Sequence, residues 1–282
     1  MRRHLARLLL TLATTLLLPL PALAQGADAA TAEQLMKKSG LWLQLDGIAP
    51  SVKAGFSAAV RSAQGAVSEA EQARLAQAVD ESYAATRLRG VAQGVFVREL
   101  EPRHLAVLNR WYDSALGRRI TQVEEAASAD TTEPAAVMQA GNALLEAMPS
   151  QRRALLRGIL EATKGAELLA DITINTALAT QRGLASVLPP PAGSPSPQEL
   201  RQSIEAQRAQ MEENFGVFLM AAMARVYAGT DTPALSQYLD FLRGDAGRHF
   251  NGVAGRALDA ALTDASAELG RRLPGTREGA RT

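Results

Sequence analysis

Residues 105–117 read LAVLNRWYDSALG, and this stretch decides the fold. Its apolar side chains recur at the spacing of one face of an α-helix: Leu105, Leu108, Tyr112 and Leu116. The helix is expected to stop near Asp113, and Ser114 is suited to cap the next helix because its hydroxyl accepts an otherwise unpaired backbone N–H. Gly117 then falls in the first turn of the new helix, where the missing side chain lets another backbone approach. The stretch therefore predicts a tight corner between two helices.

A second stretch, residues 235–247, reads LSQYLDFLRGDAG and has the same arrangement. Its apolar stripe consists of Leu235, Tyr238, Leu239 and Leu242. Gly244 suits the left-handed position that often follows a helix, and Asp245 is predicted to take over as the cap of the next helix. Different residues are thus expected to form one kind of corner.

The two stretches belong to a longer internal repeat. When Gly117 is placed on Gly247, 130 positions later, further pairs coincide: Leu105 with Leu235, Trp111 with Phe241, Arg118 with Arg248, Ile120 with Phe250 and Val123 with Val253. Upstream, 125 positions separate Leu35 from Leu160, Gly40 from Gly165 and Leu43 from Leu168. The pattern predicts a tandem duplication over residues near 30–128 and 155–262, and chance matching of alanine-rich helices is the alternative. The residues predicted to carry this structural motif are Gly40, Trp111, Tyr112, Ser114, Gly117, Gly165, Phe241, Asp245 and Gly247.

The rest of the chain also has a helical pattern, since alanine and leucine dominate and no stretch alternates with a period of two. Capping boxes at Ser68–Glu71 and Ser196–Glu199 mark two helix starts. The predicted fold class is all-α, a helical bundle built from two tandem, structurally similar multi-helix units. Helices are predicted near residues 31–38, 41–63, 68–99, 102–113, 114–128, 134–147, 151–164, 166–187, 197–228, 233–243 and 245–272. The predicted boundaries are a first helical repeat at 25–149, a second at 150–273 with a Pro-rich loop at 188–197, and a disordered tail at 274–282.

The first 24 residues predict export. Arg2, Arg3 and Arg7 precede an apolar run at 8–18, and Ala22-Leu23-Ala24 is a small-residue cleavage site. The run is shorter than the roughly 20 residues that a membrane-spanning helix needs, so a retained anchor is the less favoured alternative. We expect cleavage after Ala24, a periplasmic or possible extracellular location, and no integral membrane span in the mature chain.

Charge and cysteine content exclude two classes of protein. Removing residues 1–24 takes away three arginines and no acids, so the formal charge falls from +1 to −2. A chain with this charge has no basic stripe for nucleic acid. There is no cysteine, so no disulfide stabilises the fold in an oxidising compartment.

The corner residues resemble a known family. Leu35-Met36-x-x-x-Gly40 with Leu43, and Leu105-x-x-Leu108-x-x-Trp111-Tyr112-Asp113-Ser114-x-x-Gly117, resemble the two ends of the domain of unknown function 2059. A second copy would end in the run from Phe241 to Gly247, which lacks the family's Tyr and Ser, while Trp111 replaces its usual Phe. The resemblance implies an exported protein of Gram-negative bacteria with a helical fold. It implies no reaction and no catalytic residue.

No residue pattern marks a catalytic, cofactor or metal site, and none is predicted. After signal cleavage only His104 and His249 remain, and both are interpreted as surface side chains near helix ends rather than metal ligands. Adjacent acids such as Glu124-Glu125 point about 100° apart on a helix and are interpreted as solvated surface. The run from Phe215 to Met223 is either core or a partner groove.

Three functional classes remain open. The first is a non-enzymatic interaction or accessory protein that binds an unknown protein or envelope component. The second is a carrier of a small ligand or lipid, with a cavity between the two repeats. The third is a hydrolase-type enzyme with an unrecognised site.

Overall fold

The computed structural model describes residues 27–54, 68–130, 132–187 and 195–273, and these residues are all-α, with no β-strand. The all-α fold class predicted from the sequence is confirmed. The predicted signal peptide at 1–24, the predicted tail at 274–282 and most of the loop at 188–197 lie outside the described residues. In the described ranges, no helix combines the length and the apolar character needed to cross a membrane.

The helices are numbered here in chain order. Their bounds are α1 Ala29–Lys38, α2 Leu41–Asp46, α3 Glu69–Ser82, α4 Ala85–Glu99, α5 Leu105–Tyr112, α6 Ala115–Ser128, α7 Pro134–Ala147, α8 Ser150–Thr163, α9 Gly165–Ala185, α10 Pro197–Glu205, α11 Arg208–Val226, α12 Thr232–Arg243 and α13 Asp245–Arg272. Residues 48–54 are also helical, and Pro102–His104 form a 3-10 turn before α5. We call residues 27–130 the first half and residues 150–273 the second half.

Both predicted capping boxes are present. Ser68 accepts a hydrogen bond from the backbone N–H of Glu71, whose carboxylate accepts from the N–H of Ser68. Ser196 and Glu199 make the same pair at the start of α10. These caps satisfy N–H groups that a helix start leaves unpaired, which is why α3 and α10 begin where the sequence predicts.

The predicted helix 41–63 is interrupted at Gly47, and its residues 55–63 lie outside the described residues. Two further long predicted helices are each divided in two. The predicted helix 68–99 breaks at Tyr83, a buried side chain whose hydroxyl lies 2.8 Å from Ser266 Oγ on α13. The predicted helix 197–228 breaks after Glu205, where Arg208 binds Asp171 of α9 at 2.6 Å. In both places a contact with another helix accompanies the turn, and local helix propensity does not encode such contacts.

One apolar core lies in the first half and is completed by the last helix of the chain. It contains first-half side chains such as Leu35, Leu88 and Phe96. The side chains that α13 adds to it are Ala246, Phe250, Val253, Ala257, Ala261, Ala265 and Leu269. The first half therefore depends on a helix that follows it by more than a hundred residues in the sequence.

The second apolar core lies in the second half and is completed by a helix of the first half. It contains second-half side chains of α8, α11 and α12, among them Leu156, Leu235 and Leu239. Helix α6 of the first half contributes the buried Ile120, with Leu116 and Val123 packed beside it. The last helix of each half thus inserts its apolar edge into the core of the other half.

Helices α9 and α13 are held at backbone contact. A Cβ atom added to Gly183 would lie 2.1 Å from the carbonyl oxygen of Ala267, and one added to Gly270 would lie 2.1 Å from that of Thr180. Each helix therefore offers a glycine to the backbone of the other. This close approach fixes α13 on its own half while its opposite edge enters the first-half core.

Substitution of these glycines tests the crossing. Gly183→Ala and Gly270→Ala should each lower the free energy of unfolding by about 1–3 kcal/mol, because a methyl group at a filled contact forces the helices apart. Gly90→Ala in α4, where an added Cβ meets nothing within 4 Å, is the matched control. This control should be neutral or stabilising by up to about 1 kcal/mol. Equal effects in urea denaturation for all three variants would contradict the close crossing.

Candidate functional site

The two corners that the sequence singles out have closely similar geometry. At the first, Ser114 Oγ accepts from the N–H of Gly117 at 2.9 Å. A Cβ atom on Gly117 would lie 2.0 Å from the carbonyl oxygen of Trp111, and one on Gly247 would lie 2.0 Å from that of Phe241. Each glycine lets the new helix pack on the carbonyl of an aromatic residue in the helix before it.

The predicted capping role of Asp245 is wrong. Gly244 is the N-cap of α13, with extended backbone angles of φ −65° and ψ 158° and no side-chain hydrogen bond. Gly244 therefore does not occupy the left-handed position that the sequence suggested. Asp245 becomes the first helical residue instead, where its negative charge still faces the positive end of the helix dipole.

Gly40 and Gly165 lie at two further helix corners. In the second of these corners the residue with positive φ stands one position before the aligned glycine. Gly40 has a left-handed backbone with φ 78° and precedes α2, and an added Cβ would lie 3.0 Å from Glu125 Cγ of α6. In the second half the left-handed residue is Lys164, with φ 51°, and Gly165 is the first residue of α9. The corner thus recurs, but its positive φ does not fall on the aligned glycine.

The motif aromatics meet between the two halves. The rings of Trp111 and Phe241 stack with centroids 4.3 Å apart and planes 6° apart. Trp111 also stacks on Tyr238, with ring centroids 5.7 Å apart, and the ring centroids of Tyr112 and Phe250 are 5.3 Å apart. These rings connect the two apolar cores, and the aligned positions 111 and 241 touch each other directly.

Glu124 lies beside these rings, and its interpretation as solvated surface is wrong. Its Oε1 accepts hydrogen bonds from the hydroxyls of Tyr227 at 2.6 Å and Tyr238 at 2.8 Å. The carboxylate of one half is thereby held by two phenols of the other. A sequence signal existed, since Glu124 follows the buried Ile120 by one helical turn and so shares its inward face.

Burial dominates the electrostatics of this cluster. Loss of water raises the pKa of Glu124 above the ordinary glutamate value, although the hydrogen bonds from Tyr227 and Tyr238 oppose that rise. Burial, together with the charge of Glu124, raises the pKa of both tyrosines well above their usual range. Both phenols therefore stay protonated at neutral pH and remain donors.

His104 also departs from its sequence interpretation, because it is buried rather than at the surface. Its ring lies 4.6 Å from the ring of His249, and His249 Nε2 accepts from the backbone N–H of Glu101 at 3.1 Å. The 3-10 turn before α5 packs against α13, which encloses His104 and joins the halves once more. Within the described ranges, no three side chains of the types that bind metals are grouped to hold an ion.

The surface around α11 has two clefts. Cleft A lies between α6, α7 and α11, has a volume of about 740 Å³, and has a largely apolar lining that includes Val123, Val137, Phe218 and Val226. Cleft B lies between α7, α8 and α11, has a volume of about 570 Å³, and is lined by Asn142, Leu145, Glu146, Arg153, Arg157, Glu213, Gly216, Val217 and Met220. The run from Phe215 to Met223 is neither wholly core nor wholly surface, because half-buried side chains of α11 form one wall of each cleft.

Helix α7 separates the two clefts and has an unusual composition. It packs chiefly on α11, where a Cβ on Gly141 would lie 2.2 Å from the carbonyl oxygen of Ala221. Glu146 is its only charged residue, and its solvent-facing positions include Leu144, which is 39% exposed. Surface helices usually carry charge on the outer face, so α7 presents an apolar surface to solvent.

Substitution of Glu124 tests the carboxylate cluster. Glu124→Gln keeps an oxygen that can accept from both tyrosines and removes the buried charge, so its free energy of unfolding at pH 8 should equal or exceed that of the wild type. Glu124→Ala leaves two phenols without their acceptor and should lower that free energy by about 1–3 kcal/mol for each hydroxyl. Urea denaturation measures both effects.

The pH dependence of the same variants has a defined sign. Because the pKa of Glu124 is higher in the folded chain than in the unfolded chain, the folded state binds the proton more tightly. This carboxyl therefore lowers the free energy of unfolding as the pH rises from the unfolded pKa through the folded pKa. Any advantage of Glu124→Gln should be largest at pH 8 and disappear near the ordinary glutamate pKa of about 4.3. The exposed Glu161→Gln is the control, and a wild type that gains stability over Glu124→Gln as the pH rises would contradict the account.

The carboxylate cluster and the two clefts are separate parts of the described structure. Glu124 lines neither cleft A nor cleft B, and its hydrogen bonds from Tyr227 and Tyr238 join the two halves. Comparison with known proteins adds no relative: no family model matches the chain, and no curated protein or solved structure matches it either.

Proposed function

We propose that this chain is an exported, non-enzymatic interaction or accessory protein of the cell envelope. In this proposal residues 1–24 are a cleaved signal peptide and the mature chain is periplasmic. The observation that carries the proposal is the exposed apolar face of α7 beside the half-buried side chains of α11. Apolar surface that stays exposed among the described residues favours contact with a partner.

We also propose that the two halves are divergent copies of one unit, related to the domain of unknown function 2059. Three features support this: the paired corners at Gly117 and Gly247, the stacking of Trp111 on Phe241, and the reciprocal insertion of α6 and α13. Duplication of this kind leaves a connecting segment between the copies, and α7 is that segment. Leu145 of α7 packs against the second core, while the outer face of the same helix, which includes Leu144, is the proposed partner surface.

A second candidate function is the binding of a small apolar ligand in cleft A. The cleft lies between α6 of the first half and α11 of the second, and its volume of about 740 Å³ is in the range of small-molecule sites. The ion pair between Asp130 and Arg225, at 3.2 Å, lies at its polar end. The other lining residues are mainly alanine, valine and phenylalanine, which suits an apolar ligand.

Site-specific photo-crosslinking in a Gram-negative host tests the interaction surface. A benzophenone amino acid at Leu144 should give one or a few discrete protein adducts in the periplasmic fraction, because this side chain faces the proposed partner. The same amino acid at the exposed polar position Gln198 on α10 is the control and should give none. Identical adduct patterns at 144 and 198, or no adduct at either, would refute the proposed surface.

Native mass spectrometry tests the ligand alternative. If cleft A holds a ligand, protein purified without detergent should carry a bound small molecule, and Ala222→Phe should reduce its occupancy by filling the cleft. Gly90→Phe adds the same side chain at an open position on α4 and should leave occupancy unchanged. A ligand-free wild type, or equal occupancy in both variants, would reject this candidate.

A further inference from the structure

We propose that cleft B binds a single-chain zwitterionic amphiphile, whose head carries a phosphate beside an ammonium group. The proposal rests on the interaction function above and deepens it, because it names the chemistry of one envelope component that the protein would bind. It concerns a different cleft from the apolar ligand alternative.

The floor of cleft B suits an acyl chain. Leu145 of α7 and Met220 of α11 line it, together with Val217, which is 54% exposed. Gly216 keeps the floor open, since an added Cβ there would meet nothing within 4 Å. The volume of about 570 Å³ is within the usual range for small-molecule sites. The floor is therefore both apolar and accessible.

The walls of cleft B carry two positive and two negative side chains that do not pair with one another. Arg153 and Arg157 lie one turn apart on α8, while Glu146 comes from α7 and Glu213 from α11. In the part of the chain that the structure describes, none of these four residues takes part in an ion pair. Glu213 Oε2 accepts one long hydrogen bond, 3.4 Å, from the side-chain amide of Gln210. By contrast, Arg208 on the same helix as Glu213 binds Asp171 at 2.6 Å.

Arg153 is anchored in the wall of cleft B by one end of its guanidinium. Its Nη2 donates to the carbonyl oxygen of Met148 at 3.0 Å, which anchors the guanidinium in the cleft wall. Its Nε is buried and has no hydrogen-bond partner. An arginine pair one turn apart can supply several N–H groups from its accessible nitrogens to a phosphate.

The positive and negative side chains of cleft B together favour a ligand whose head carries both charges. A purely anionic head would meet Glu146 and Glu213, and a purely cationic head would meet Arg153 and Arg157. A phosphate next to an ammonium satisfies both pairs, while the acyl chain covers the apolar floor. The head groups of this kind that an envelope offers are those of zwitterionic phospholipids.

Binding of two matched probes to the full mature protein tests the site. The probes are lauroyl-lysophosphatidylethanolamine and lauroyl-lysophosphatidic acid below their micellar concentrations, which share the chain and phosphate and differ in the ammonium. The wild type should bind the zwitterionic probe saturably and more tightly than the anionic one. Isothermal titration calorimetry gives both affinities.

Charge variants then separate recognition of the head from partition into an apolar cleft. The double variant Arg153→Gln, Arg157→Gln should lower the affinity for the zwitterionic probe by at least about tenfold. This is the loss expected when charge-assisted hydrogen bonds are removed. The double variant Glu146→Gln, Glu213→Gln should bind the zwitterionic probe more weakly than the wild type does and should bind the anionic probe more tightly. This opposite response does not depend on the folding of the arginine variant.

A filling variant locates the site. Gly216→Leu should abolish binding of both probes, whereas Gly90→Leu, at an equally open position on α4, should leave both affinities unchanged. The proposal is overturned if the wild type shows no saturable binding, if it prefers the anionic probe, or if binding persists in Gly216→Leu. Its failure is distinguishable from that of the interaction function, because a protein adduct at Leu144 would stand without any lipid in cleft B.

Discussion

The structure depends on two exchanged helices. Helix α6 of the first half packs into the core of the second half, and helix α13 of the second half packs into the core of the first half. Phe250 of α13 packs against Phe96, with ring centroids 5.7 Å apart, and is 4% exposed. Ile120 of α6 is 2% exposed among second-half side chains. Each half is a small unit, and the stability of a small domain grows with the fraction of surface it buries. The exchange completes the apolar core of both halves.

The polar contacts between the halves follow from this exchange. Once α6 lies in the second half, Glu124 reaches the phenols of Tyr227 and Tyr238, and once α13 lies on the first half, His249 reaches the backbone of Glu101. Buried polar groups of this kind fix one arrangement among the many that an apolar interface would accept. The bond from Tyr227, at the end of α11, to Glu124 positions α11 relative to α6, and these two helices form walls of cleft A.

The corners and most helix starts could be predicted from the sequence because their signals are local. A serine followed three residues later by a glutamate defines a cap at Ser68, and a glycine in a first turn marks the close contact at Gly117. The sequence did not predict the breaks at Tyr83 and after Glu205, the burial of His104 or the acceptor role of Glu124. Each of these depends on residues distant in the sequence, and helix spacing alone does not reveal which neighbour a side chain meets. The clefts escaped prediction for the same reason, since their walls come from three helices.

Native-state hydrogen exchange on two core variants is the most direct test of the exchanged helices. Phe250→Ala lies in the second half, yet it should raise exchange chiefly in α4 of the first half. Ile120→Ala lies in the first half, yet it should raise exchange chiefly in α8 and α12 of the second. If each substitution instead loosens mainly the half that contains it, the cores are not completed by exchange and the account is contradicted.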